Sequence, residues 1–103
     1  MAQRAVVWTD TASFQFRAIL KFWVERNRSE KYSLRLIDLV EKNISIILEH
    51  PKAFKQAEFL NTRVASLGHY SIYYEVSAEQ IVVTAFWDNR QDPAELLDLL
   101  QKS

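Results

Sequence analysis

Tyr70-Ser71-Ile72-Tyr73-Tyr74-Glu75-Val76-Ser77-Ala78-Glu79-Gln80-Ile81-Val82-Val83-Thr84-Ala85-Phe86-Trp87 is the stretch on which the fold turns. Up to Val76 it alternates: Tyr70, Ile72, Tyr74 and Val76 fall on one side, Ser71, Tyr73 and Glu75 on the other. A period of two is that of a strand with one buried face and one mostly wet face. Ser77 to Gln80 is polar and has the length of a four-residue hairpin connection. Residues 81–87 are apolar on both sides, so this second strand belongs inside a sheet.

Reading outward, Gly68 accepts the positive φ of a turn at no steric cost, and Arg63 to Leu67 reads as a strand before it. On the other side, Asp92 has the chemistry of an N-cap, Pro93 that of a first helical residue and Glu95 that of the third. A leucine-rich helix over Ala94–Gln101 follows, carrying Leu96, Leu97, Leu99 and Leu100.

The N-terminal half has a different period. Ala5 to Trp8 is a short apolar strand, ended by Thr9-Asp10, either of which can cap a helix. Ala12, Phe16, Ile19, Phe22 and Trp23 then recur at helical spacing. Asn27-Arg28-Ser29 breaks the pattern. A second helix carries Leu36, Ile37, Val40, Ile44, Ile47 and Leu48 on one face and stops at His50-Pro51, because proline cannot continue it. The short break makes the two helices an antiparallel hairpin. Residues 52–61 read as irregular. The fold class is α+β: a short N-terminal strand, a two-helix hairpin, an antiparallel β-meander and a short C-terminal helix.

At 103 residues the chain is one domain, 1–103. It has no cysteine, so disulfides and thiolate metal sites are excluded. The opening apolar run is too short for a signal peptide and no stretch approaches a membrane span, which points to the cytoplasm and away from a membrane. Net charge is zero, which speaks against a strong non-specific polyanion binder. The charges are nevertheless segregated. Between residues 17 and 35, Arg17, Lys21, Arg26, Arg28, Lys31 and Arg35 stand against only Glu25 and Glu30, while acids dominate from Asp88 onward. The basic region suits phosphates or an acidic partner, although on charge alone a solvated helix face is the favoured reading. One sheet face packs on the helices. The other, with Tyr73, Phe86 and Trp87, is too large for a short terminal helix to hide, so an interacting protein is expected there.

The pieces Val6-Val7-Trp8-Thr9, Ile47-Leu48-Glu49-His50-Pro51, the strand 69–76 and the ending Trp87-Asp88-Asn89-Arg90-Gln91-Asp92-Pro93 together resemble the RelE/ParE toxin superfamily, the toxin half of bacterial type II toxin–antitoxin, or plasmid stabilisation, pairs. The resemblance runs along nearly the whole chain and implies a RelE-like fold, a cognate antitoxin as partner and no cofactor or metal. It implies one of two activities. RelE-like members are endoribonucleases that cleave mRNA on the ribosome without a metal, the ribose 2′-OH attacking the adjacent phosphate. That site needs a base, an acid and cations. ParE-like members instead bind DNA gyrase and catalyse nothing. A third possibility is a degenerate member that keeps only antitoxin binding.

Under the nuclease reading, which is the first expectation, the resemblance places Arg90 on the phosphate, with Arg63 as a second cation. His69, Lys52 or Lys55 then moves the proton, an imidazole being suited to that near neutral pH. Each has a plain alternative: an ion pair of Arg90 with Asp88, with Asp92 or with the antitoxin, a solvated Arg63, loop lysines, and a histidine that only borders a turn. Tyr73 is the tyrosine expected outside the core and able to stack a base; Gln91 and Trp87 flank Arg90 in the same loop. His50 complements a helix C-terminus. The tail 94–103 holds no tyrosine or histidine, where ribonuclease members commonly carry one.

Overall fold

The computed structural model describes residues 4–59 and 61–102, with backbone only at 93, 101 and 102. The chain forms β1 (Ala5–Trp8), α1 (Asp10–Asn27), α2 (Lys31–Glu49), β2 (Lys55–Gln56), β3 (Arg63–Leu67), β4 (Tyr70–Val76), β5 (Gln80–Asp88) and α3 (Pro93–Lys102). The helix boundaries follow from the capping chemistry. The Thr9 hydroxyl accepts from the Ala12 N–H at 3.1 Å and starts α1. Arg28 closes that helix in the left-handed region at φ 51°. The His50 N–H donates to Ile46 O at 2.9 Å before Pro51 ends the run.

The five strands lie in the order β1-β5-β4-β3-β2. β3, β4 and β5 form the expected antiparallel meander. β1 joins β5 in parallel, Val6 opposite Ile81 and Trp8 opposite Val83, so the sheet is mixed. A parallel neighbour needs a long crossover, and the helical hairpin is part of it. Residues 52–61, expected to be irregular, contain the two-residue strand β2, which pairs with Val64 and Arg63 and closes the far edge.

One irregularity decides what each face carries. Tyr73 lies opposite Ala85 but Tyr74 lies opposite Val83, so Thr84 is an extra residue in β5. Such a bulge inverts the in–out alternation beyond it. Ile81 and Val83 face the helices, and beyond the bulge Phe86 does so too, while Ala85 and Trp87 face α3. The expectation that Phe86 shares the barer face with Tyr73 and Trp87 is thereby corrected. Phe86 is fully buried between Phe16, 4.7 Å between centroids, and Tyr70, 5.4 Å. Its N–H lies beyond the end of β1 and donates instead to Gln15 Oε1 at 2.9 Å.

The larger core joins α1 and α2 to the sheet through Ala12, Leu36, Val40, Ile47, Ile72, Tyr74 and their neighbours. Trp8 and Trp23 are partly buried at its margin. Phe22, which the helical spacing grouped with the core, is 53% exposed. The smaller cluster on the opposite face consists of Ala85, Trp87 and Leu96, with Phe59, Tyr73 and Leu100 against it.

Candidate functional site

β5 ends in Asp88, and the turn after it is built by short-range hydrogen bonds. The Asn89 N–H donates to His69 O at 2.8 Å, and the Ser71 hydroxyl donates to Asn89 Oδ1 at 2.8 Å. The turn is thus fastened to the β3–β4 turn beside it. Asp92 then accepts from the Ala94 N–H at 2.9 Å and starts α3, as its capping chemistry predicts.

Within this turn Arg90 folds back on Asp88. Its Nε donates to Asp88 Oδ1 at 2.9 Å and its Nη2 to Oδ2 at 2.7 Å, and its backbone N–H also reaches Oδ1 at 2.9 Å. This is a bidentate, charge-assisted pair, the stronger kind of ionic hydrogen bond. Arg90's hydrogen bonds hold the Asp88 carboxyl below the usual carboxylate range against the opposing effect of burial, and His69 adds a smaller pull in the same direction. Asp88 raises the Arg90 guanidinium in turn. The alternative of an ion pair with Asp88 is the one the structure shows.

The other cation lies elsewhere. Arg63 opens β3 opposite Tyr74, and its Nη1 donates to Phe54 O at 2.7 Å. Tyr70 lies opposite Asp88 on the next strand pair. Four residues of β4 therefore separate the levels of Arg63 and Asp88, about 13 Å at the usual rise of a strand. Lys52 shares a groove with Arg63, together with Gln56, Glu58 and Glu75. Lys55 lies in β2 and is exposed. His69, Arg90 and Gln91 are thus at one end of the sheet, and Arg63, Lys52 and Lys55 at the other.

Tyr73 is on the face opposite the helices, half-buried, with Phe59 5.5 Å away. Trp87 is only 6% exposed beneath Leu96, and its indole N–H has no partner among the described residues. Burial raises Tyr70, Tyr73 and Tyr74. It pushes Tyr74 up to about 12, partly offset by the positive charge of Arg63. Tyr73 is raised by burial and by Glu58. Tyr70 is raised by burial against a lowering hydrogen bond from Trp23. All three stay protonated near neutral pH, so none serves as a base there. Among the described residues, no three His, Asp or Glu side chains gather as metal ligands would.

Sequence reasoning did not anticipate the contact beside Arg90. Trp23 Nε1 donates to the Tyr70 hydroxyl at 2.7 Å across 47 residues of chain, which brings the C-terminal half of α1 against the β5–α3 turn. Helical spacing at Trp23 and strand alternation at Tyr70 place each on a buried face of its own element. Periodicity reports a buried face but not which two faces meet, so no local signal could have located this junction.

A helical hairpin on one face of a mixed five-stranded sheet, with a basic hairpin tip and an arginine turn after the last strand, makes a small α+β domain. The solved structure titled "Chromosomal ParDE TA system from P. aeruginosa" has this fold. It superposes with a TM-score of 0.71 at 14% identity, over 84% of this chain and 96% of that one. The sequence itself is more specific. Residues 6–93 match the family described as ParE toxin of type II toxin-antitoxin system, parDE, and the chain belongs to that family. No curated protein matches it. Family membership makes it the toxin component of a toxin–antitoxin pair, with a cognate antitoxin as its partner. No helix among the described residues is long and apolar enough to cross a membrane.

Proposed function

We propose that this toxin arrests growth in the cytoplasm by binding DNA gyrase, rather than by cutting ribosome-bound mRNA. The observation that carries this reading is the separation of the cations. In-line attack by a 2′-OH needs base, acid and phosphate-binding groups around one phosphate, within hydrogen-bond reach of the reacting atoms. Arg90 is engaged by Asp88 at one end of the sheet, and Arg63 and Lys52 line a groove at the other. The tyrosines between them are raised away from neutrality, and the tail offers no tyrosine or histidine. A binding module needs no such convergence, and the gyrase-directed branch that the sequence resembles is one.

The test is a supercoiling assay with purified toxin and gyrase, run beside primer-extension mapping of mRNA after induction in cells. Inhibited supercoiling with intact transcripts is the expected result. New 5′ ends in translated mRNA with gyrase unaffected would overturn the proposal in favour of the nuclease. Harmless expression with neither effect would overturn it in favour of a member that only binds antitoxin.

A further inference from the structure

Between the C-terminal half of α1 and the β5–α3 turn runs a groove of about 490 Å³. Ile19, Phe22, Trp23 and Tyr70 form its apolar wall, and Arg26 and Arg90 lie along it. We propose that this groove is the docking site for an acidic segment of the cognate antitoxin, one that inserts a bulky apolar side chain against Phe22 and Trp23 and sets a carboxylate on Arg26. The inference rests on family membership and is independent of whether gyrase or mRNA is the target.

The wall is already assembled in the free chain. Trp23 meets Phe22 edge-on at 5.0 Å and 84° and lies 5.0 Å from Tyr32. Its N–H is held by the Tyr70 hydroxyl, whose own proton has no acceptor among the described residues. A preformed wall spares a ligand the entropy of ordering it. Phe22 is 53% exposed in the middle of a helix, a large apolar surface that docking would remove from water.

Charge selects the occupant. Among the described residues no carboxylate comes within ion-pair distance of Arg26. Arg90 has Nε and Nη2 bound to Asp88 and keeps Nη1 uncommitted. With both arginines charged and Asp88 ionised, the groove carries one net positive charge, which a single carboxylate balances. A run of phosphodiesters would bring several negative charges up to the Asp88 carboxylate. The hairpin tip, where Arg28 and Lys31 outnumber Glu30, extends the attraction to an acidic peptide over a longer range. A protein segment of mixed apolar and acidic character therefore fits better than nucleic acid.

The experiment is titration of the purified toxin with its antitoxin by calorimetry, comparing Phe22→Ser, Arg26→Glu and, as a control on the same helix, Phe14→Ser. Phe14 is 68% exposed and lines none of the grooves described here. Loss of a central anchor or of a charge pair typically weakens an interface by about tenfold or more. Phe22→Ser and Arg26→Glu are expected to bind at least about tenfold more weakly and Phe14→Ser within about twofold, with the Arg26 effect shrinking at high salt. Hydrogen exchange in the complex should show new protection at residues 18–26 and 88–91. Wild-type affinity in both groove variants, or protection confined to other surfaces, would overturn the proposal. So would binding of an RNA oligonucleotide that only Arg26→Glu abolishes. None of these outcomes depends on the gyrase assay, so the two readings can fail separately.

Discussion

Replacing Phe86 with alanine tests the inversion of faces at Thr84. Phe86 is fully buried and in ring contact with both Phe16 and Tyr70. Burying a phenylalanine side chain contributes about 1.5–3 kcal/mol, and each aromatic pair adds about 0.5–1.5 kcal/mol. The cavity left behind keeps the total near the about 3–5 kcal/mol typical of Phe→Ala in a core. Against a total stability of about 5–15 kcal/mol this is a large fraction. The melting temperature of a domain this size should fall by at least about 12 °C. Urea unfolding followed by tryptophan fluorescence measures it, and an unchanged slope would show that the unfolded state is the same. Phe14→Ala is the control, expected within about 0.5 kcal/mol because the ring is exposed. A cost for Phe86→Ala below about 1 kcal/mol would refute the reasoning. It would mean that Phe86 does not pack between Phe16 and Tyr70, as the bulge at Thr84 requires.

Further consequences concern single contacts. Tyr74→Phe removes the 2.8 Å bond from its hydroxyl to Pro51 O and leaves that carbonyl short of a donor, costing about 1–2 kcal/mol by urea titration. Arg28→Gly relieves a non-glycine residue at φ 51° and should raise the urea midpoint, by about 1 kcal/mol of stability. Because the folded state depresses the Asp88 pKa, its contribution is present above the ordinary carboxylate range and is lost as pH falls through the depressed value. Asp88→Asn should therefore flatten the acid limb of the stability–pH curve while leaving the neutral-to-alkaline limb in shape. Lys52→Ala and Lys55→Ala should leave growth arrest unchanged when tested by plating after induction, since under a binding mechanism neither lysine handles a proton.

Most of the fold was legible because its signals are local. A hydroxyl at Thr9, a proline at 51, a glycine at 68 and an aspartate before Pro93 each act within a few residues of themselves, and the structure uses all four as their chemistry predicts. The switch from a period of 3.6 to a period of two is equally local. Two things were not. The pairing of β1 with β5 is a contact about 75 residues long in sequence, and nothing in Ala5–Trp8 states its direction. The bulge at Thr84 was hidden because residues 81–87 are apolar on both sides: shifting such a strand by one residue leaves the pattern looking the same. The site suffered more than the fold. Arg63 and Arg90 are candidates through the family resemblance and their charge, and neither carries information on distance.

That difference bears on how one scaffold can host both catalysis and binding. The sheet holds its ends apart by the length of β4, and only the loops decide whether cations from the two ends converge. Here the β5–α3 turn is short and tied to the β3–β4 turn through Asn89, and Arg90 closes back on the aspartate two residues before it. Freeing Arg90 for a phosphate would mean giving up a bidentate pair, and moving it toward Arg63 would mean giving up the Asn89 bonds as well. A turn built this way favours a fixed recognition surface over a convergent catalytic one. The aromatic junction of Trp23 with Tyr70 supports the same side of the same end. A cross-braced part of the surface is therefore also where an uncommitted charge, Arg26, and an exposed aromatic, Phe22, lie together, and that combination suits the docking of another protein.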